Sequence, residues 1–542
     1  MAKRDTSTYA LTARRQIAEE LRTLAIFSVP RSSALLNYFV VLEVQYGKLS
    51  LDSTIAIFGG HRKAVESGMY ALPAIFEWCP DESTSSGPTT EEIYKQADDL
   101  FEFTRKYAQV EYCYTLAERG NFEISVAQKD PRITFSYASS EADRADTPGR
   151  AREILPRISE ESSSLDEHVF SEISQRLRNA LSAQNLLIKP ETCAHVISDD
   201  VLSVMRDLAE AFSQRLPVRM DSEINVGEVT FGDFRRFWSA LLSMIETHWM
   251  AHALTCGGDL EQVPRKTIVI KKQRTEMATL VSCIARLSYR AAEFILGCYL
   301  YDPQVNGKRP ICQPIVPITK DHVCFSSLML SHFDFERNFF KLLHISPSLL
   351  EFASFIDAQK EPIALRHLST LFPESEFAIR SCVVIPGKTD ADLLVYERLR
   401  GFTLVIQHKW LTAPETPEES SSNDEYLQKG IKQGIVARDF LRLDHTFVRE
   451  TLKLAASAPI ERVECVTVCR GLEESGFMEQ SDVPVVEEQA LEALLKQTEG
   501  LGGLWTALVA RPDKAFAAEL AVDTTMTIQL GAYEFVMPAL GF

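Results

Sequence analysis

The stretch Pro386-Gly387-Lys388-Thr389-Asp390-Ala391-Asp392-Leu393-Leu394-Val395-Tyr396-Glu397-Arg398-Leu399-Arg400-Gly401-Phe402-Thr403-Leu404-Val405-Ile406-Gln407-His408-Lys409-Trp410 decides how the C-terminal part of this chain is read. Residues 391–397 and 403–408 are short runs rich in β-branched and apolar side chains, and Arg398-Leu399-Arg400-Gly401 separates them as a turn would. Residues 377–385 form a third such run, parted from the second by Pro386-Gly387-Lys388, so three strands are expected in series. Side chains alternate with period 2 along a strand, which puts Gln407 and Lys409 on one face, and antiparallel pairing brings Asp392 beside them. Lys409 stands between Leu404-Val405-Ile406 and Trp410-Leu411, where a lysine costs free energy unless it is solvated or paired. Three polar groups are thus expected to converge where packing alone would place none.

Such a set has a chemical use. A carboxylate and a carbonyl oxygen hold a hard divalent cation, and a lysine stabilises negative charge on an attacking water or a phosphate oxygen. Phosphodiester hydrolysis needs those parts. Downstream, a helical pattern over 424–441 is followed by strand patterns at 462–469 and 483–486 and a helical one at 488–497, which completes an α/β unit.

At these residues the sequence resembles the PD-(D/E)XK superfamily, the restriction-endonuclease-like nucleases, whose pattern is an acid opening one strand and then an acid, any residue and a lysine on the next. Asp392 matches the first element and Gln407-His408-Lys409 the second, with glutamine where the family usually has a carboxylate. The resemblance implies a central mixed sheet flanked by helices, with Asp392 and Gln407 as ligands for Mg²⁺ or Mn²⁺. It adds the carbonyl of His408 as a further ligand and Lys409 as the electrostatic catalyst. Many members bring a glutamate from the preceding helix; Glu361 is the best placed, with Glu351, Glu374 and Glu376 left open. Gln433, in Lys429-Gly430-Ile431-Lys432-Gln433, matches the glutamine that some branches carry on the following helix. The implied activity is metal-dependent cleavage of nucleic acid, DNA first, with bacterial defence or DNA processing as a context by analogy of fold alone. The neutral amide of Gln407 keeps a second reading alongside it: a scaffold of the same fold that binds nucleic acid or a protein partner without cutting.

At 542 residues the chain exceeds the usual domain of about 150, so several domains are expected. We read it as a multidomain α and α/β protein: an α-rich region over 1–138, a linker over 139–175, a helical middle domain over 176–355, the nuclease-like domain over 356–500, and strands and turns of unassigned membership over 501–542. Helices are expected at 10–25, 33–46, 91–117, 201–215, 231–253 and 274–299. The α-rich region would recognise a substrate, a protein partner or a second copy. Three polar stretches, 81–92, 139–166 and 412–424, read as loops.

A composition of 45% hydrophobic and 24% charged residues excludes collagen-like, coiled-coil and wholly disordered chains. With 57 Lys+Arg against 75 Asp+Glu the net charge is −18, so nucleic acid would be held by a local patch and not by the overall field. No apolar run is long enough for a bilayer and no leader pattern is evident, while eleven scattered cysteines lack any CxxC pair; a cytoplasmic protein with reduced thiols and no membrane partner is expected. His248 and His252 have the i, i+4 spacing of a zinc pair, but without a third ligand helical packing is the stronger reading. Residues 53–63 suit a helical hairpin better than a DNA-reading helix-turn-helix, and the basic run 265–274 reads as a solvated strand-to-helix turn. No P-loop or dinucleotide-binding glycine motif is present.

Overall fold

The structure is a computed structural model that describes residues 2–51, 60–81, 91–126, 131–139, 164–183, 197–216, 220–255, 265–306, 312–331, 335–412, 417–470, 482–510 and 522–541. The fold is mixed α/β, and none of its helices is long and apolar enough to cross a membrane among the described residues.

Helices α1 (Ala2–Arg22), α2 (Arg31–Leu51), α3 (Gly60–Trp78) and α4 (Glu91–Glu118) open the chain. They are followed by an antiparallel pair, β1 (Phe122–Val126) and β2 (Arg132–Tyr137), inside the stretch expected to be α-rich. The pair was hard to foresee because each strand is short and half polar. The hairpin is completed from the far end of the chain: β13 (Val522–Leu530) and β14 (Tyr533–Gly541) extend it into a four-stranded sheet of order β1-β2-β14-β13. Ala10, Ile17, Tyr114, Phe135 and Phe535 share the core between this sheet, α1 and α4. The C-terminal strands therefore belong with the N-terminal region.

The middle of the chain is helical: α5 (Ser164–Ser182), α6 (Asp199–Arg215), α7 (Phe231–Thr255), α8 (Arg274–Ala285) and α9 (Tyr289–Tyr299), with short β3 (Asn225–Val226), β4 (Val229–Thr230) and β5 (Ile270–Gln273) between them. The single helix expected over 274–299 is two. Arg286 adopts a left-handed conformation (φ 54°) that ends the first, and Ser288 caps the second by accepting from the Ala291 N–H. Next come α10 (Pro303–Asn306), β6 (Val316–Pro317), β7 (His322–Phe325), α11 (Ser327–Ser331) and α12 (Phe335–Ile345). Helix α13 (Leu350–Thr370) crosses the 355/356 boundary drawn from sequence, carrying Pro362 in its interior.

A five-stranded mixed sheet of order β12-β11-β10-β9-β8 follows, made of β8 (Phe377–Ile385), β9 (Thr389–Glu397), β10 (Phe402–Trp410), β11 (Arg462–Arg470) and β12 (Val485–Glu487). The first three pair antiparallel; β10, β11 and β12 pair parallel. Parallel neighbours need a long crossover, and α14 (Pro417–Leu443) with α15 (His445–Thr451) supplies it. One sheet face packs Val405, Cys465 and Cys469 against Leu427, Ile431 and Leu441 of α14. The other packs Leu404, Ile406 and Val466 against Leu365 and Leu368 of α13, Leu491 of α16 (Glu488–Gln497) and Leu504 of α17 (Gly500–Ala510). Three expectations are corrected here. Residues 417–424, read as loop, open α14, because Pro417 suits a first helical position and Glu419 is buried against Arg337 (2.7 Å) and Lys341 (2.9 Å). Residues 501–510, read as strands and turns, are helical. Residues 164–175, read as the end of the 139–175 linker, are also helical and open α5; most of the rest of the expected linkers and loops, 82–90, 140–163 and 413–416, lies outside the described residues.

In the helical region Glu43 of α2 is fully buried, accepting the Ser327 N–H at 2.6 Å through one oxygen while Oε2 has no partner. Burial pushes its carboxyl up to about 7, offset only in part by hydrogen bonds from Ser327. The unfolded chain then releases this proton before the folded one, so the residue's contribution to stability is complete below pH 4.5 and is lost as pH rises toward 7. Glu43→Gln should remove that slope, leaving the variant more stable than the native chain at pH 8 relative to pH 4.5 by roughly 3 kcal/mol, read from urea unfolding across pH.

Candidate active site

The β9–β10 ladder runs from Glu397↔Phe402 to Leu393↔Ile406, and carried one residue further it sets Asp392 level with Gln407. Val405 faces α14 while Leu404 and Ile406 face the other core, so Gln407 and Lys409 lie on the α14 side. Lys409 Nζ stands 3.7 Å from Asp392 Oδ2, with side chains 17% and 8% exposed. Where the ladder ends, the His408 N–H donates to the same Asp392 oxygen at 2.6 Å. Loss of solvent pushes the Asp392 carboxyl up, against the pull of Lys409 and this hydrogen bond.

Gln407 is fully buried; its Nε2 donates to the Asp390 carbonyl at 2.6 Å and its Oε1 has no partner. Gln433 of α14 donates to Asp390 Oδ1 at 3.1 Å and also leaves Oε1 unpartnered. Thr467, paired with Gln407 in the parallel register, has a buried hydroxyl in the same condition. Two orphaned amide oxygens on side chains bound to Asp390, with an orphaned hydroxyl on the neighbouring strand, are a site's signature more than a core's. Sequence reading passed over Asp390 and Thr467. The signals were there: Asp390 precedes Asp392 by one strand period, and Thr467 is a lone hydroxyl between Cys465 and Cys469.

Helix α14 can cover these groups because Gly430 and Gly434, four apart, face β10. A Cβ at Gly430 would lie 3.0 Å from Lys409 Cε and 3.2 Å from Thr467 Cγ2; one at Gly434 would meet Gln407 Cγ and Cys465 at ordinary distances of 3.5–3.6 Å.

On the other side, Cys382 of β8 stands opposite Asp392, between the pairs Ser381↔Leu393 and Val383↔Ala391, and holds a left-handed φ of 53°. Ala391 belongs to the α14-side core and Leu393 to the opposite one, which strict alternation forbids. The hairpin is kinked at Asp392. A left-handed cysteine costs about 1–2 kcal/mol, and such strain gathers at functional sites.

Glu361 is exposed on α13, and its carboxyl is pushed up first by partial loss of solvent, then by the charges of Asp392 and Asp390. It lines a cleft of 870 Å³ between α13 and β8, together with Arg366, Phe372, Glu374 and Cys382; Asp392, Gln407 and Lys409 are not among the residues that line it. Glu351 and Glu376 are exposed near the starts of α13 and β8. The His408 ring points to the opposite sheet face, where Nε2 meets Glu488 Oε1 at 2.7 Å. Among the described residues no group of three His, Cys, Asp or Glu side chains is placed to hold a metal ion. The available donors are all oxygen, the Asp392 carboxylate and the orphaned Gln407 Oε1 foremost, which suits Mg²⁺ or Mn²⁺ and not a soft metal.

The remaining motifs serve packing. His248 and His252 are buried, with Nε2 atoms on the carbonyls of Ile268 (2.9 Å) and Thr267 (3.1 Å). The basic run forms β5 and the start of α8, with Arg265 over the Tyr94 ring and Lys272 paired with Glu276. Of the 53–63 motif, residues 53–59 and the side chains of Arg62 and Lys63 lie outside the described residues. Comparison with known proteins finds no matching family model, no matching curated protein and no matching solved structure.

The two glycines should separate in mutagenesis. Gly434→Ala should raise stability by roughly 0.5–1 kcal/mol, the ordinary helical gain, whereas Gly430→Ala should lose that gain because Lys409 and Thr467 must give way; thermal and urea melts of both variants check this.

Proposed function

We propose that the domain built on this sheet is a PD-(D/E)XK-like nuclease that hydrolyses phosphodiester bonds of nucleic acid, DNA first, with Mg²⁺ or Mn²⁺. The observation that carries the reading is the pair of a half-buried Lys409 and a buried Asp392 beside the unpartnered Gln407 Oε1. A structural ion pair has no use for an adjoining orphaned acceptor.

In this reading Asp392, Gln407 Oε1 and the His408 carbonyl would hold the ion. When bound, it supplies Lewis-acid stabilisation of the phosphate and lowers the pKa of a coordinated water. The chain's own residues do the rest. Lys409, held by Asp392 and shielded by α14, places a fixed positive charge where negative charge develops on the phosphate. Glu361, at the cleft wall, has a raised proton affinity that suits it to accept the proton of the attacking water as the new P–O bond forms and the old one breaks. Arg366 in the same cleft offers a cation to a neighbouring phosphate. The neutral amide of Gln407 favours one alternative, a nuclease-fold scaffold that binds without cutting, and both readings meet the same experiment.

Purified protein incubated with plasmid, linear and single-stranded DNA and with RNA should cleave at high Mg²⁺ and more readily in Mn²⁺. Lys409→Ala should lower the rate by roughly a hundredfold or more, Asp392→Ala should abolish cleavage and calorimetric metal binding together, and Gln407→Glu should tighten metal binding and sustain cleavage at lower Mg²⁺. Cleavage in EDTA, or in Asp392→Ala, would overturn the mechanism; binding without cleavage under every condition would favour the scaffold.

A further inference from the structure

The peptide that holds Asp392 is itself held from the far side of the sheet. His408 donates its N–H to Asp392 at the point where the β9–β10 ladder has run out, so a side chain, and no strand partner on that edge, fixes this peptide. Its ring lies on the opposite face with the side chain 1% exposed, against the 3%-exposed Glu488 at the first position of α16. An acid at a helix N-terminus is favoured by the helix dipole, which keeps Glu488 where His408 needs it. Because a carboxylate only accepts, His408 Nε2 carries the proton of that bond.

The contacts continue. Arg470, the last residue of β11, places Nη1 3.6 Å from Glu488 Oε2 and turns Nε and Nη2 onto Glu336 Oε2 of α12 at 2.9 and 2.6 Å. Its guanidinium also lies over Trp410, whose ring meets Phe340 of α12 edge-on at 6.0 Å. Arg470 and Glu336 are each 12% exposed, so this chain of charges runs through the interior. Buried charge pairs of this kind do little for stability against an apolar substitute but fix relative position, since breaking one leaves an uncompensated charge.

We infer that Glu488 is a positioning residue for the candidate site, and that the chain Glu336–Arg470–Glu488–His408 couples helix α12 of the helical region to the peptide that seats Asp392. The inference rests on the nuclease reading for its catalytic consequence, but the coupling itself is a statement about His408. A displacement of α12 moves Arg470, Arg470 moves Glu488, and the His408 peptide follows.

Hydrogen–deuterium exchange of the full-length protein over residues 404–410 reads the coupling directly, with cleavage kinetics alongside. Glu488→Ala should speed exchange of this segment and lower cleavage by roughly tenfold to a hundredfold, with the DNA KM little changed. Glu488→Gln keeps an oxygen for His408 Nε2 and should return exchange to the native level. Glu336→Ala, remote from Asp392, should shift exchange and rate in the same direction by less. Native exchange over 404–410 in Glu488→Ala, or a lowered melting temperature as its sole effect, would overturn the positioning role. If Glu488→Ala does not fold, native exchange in Glu336→Ala would overturn the coupling. Should the native protein cleave nothing, the nuclease reading fails while the exchange result still decides this inference.

Discussion

A lysine and an aspartate on the inner face of a sheet constrain everything around them. Taking either ion out of water costs several kcal/mol even after relaxation, so Lys409 and Asp392 persist there only because they face each other at 3.7 Å and because a backbone N–H supports the acid. Covering them needs a helix that comes close without a side chain in the way, hence Gly430, which weakens α14 by roughly 0.5–1 kcal/mol relative to alanine. Aiming Asp392 needs a kink, hence the left-handed Cys382 across from it. Local rules are broken several times within one small volume. That concentration is expected of a functional site and unusual for a core.

The sheet that carries these groups is wedged between two apolar layers and joined to the helical region at both ends of the site. Helix α13 starts beside the helical core and runs on under the sheet, bringing Glu361 to the cleft. Helix α12 closes on the ends of β10 and β11 through Phe340 and Glu336, and on the start of α14 through Arg337. The helical region is thus built into the surroundings of the site. Away from the site, β13 and β14 return to the N-terminal hairpin.

Charge gives the functional proposal its character. A chain of net charge −18 repels nucleic acid at long range, so a nuclease of this composition would depend on local cations such as Lys409 and Arg366 and on the bound metal to bring a phosphate in. In the proposed reading the neutral amide of Gln407 would weaken the metal's hold further, which would make metal concentration the natural control of such an enzyme.

The hairpin from Thr389 to Trp410 was legible because period 2, a Pro-Gly turn and a lysine stranded among valines and leucines are all local signals, and they sufficed to name Asp392, Gln407 and Lys409 as a group. The helices with strong apolar periodicity were legible for the same reason. The rest depended on contacts between residues far apart in the chain. Asp390 matters because two glutamines, 17 and 43 residues away, both bind it. Glu488 matters because α16 starts beneath His408. The tail strands were ambiguous because their partner lies near the other end of the chain, where Phe535 pairs with Ile133. The sequence by itself determined the local periods and the chemistry of one hairpin; which oxygens were left unpartnered, which helix covers the lysine and which strands close the first sheet were decided by tertiary packing, since burial and long-range pairing have no signature within a short window of residues.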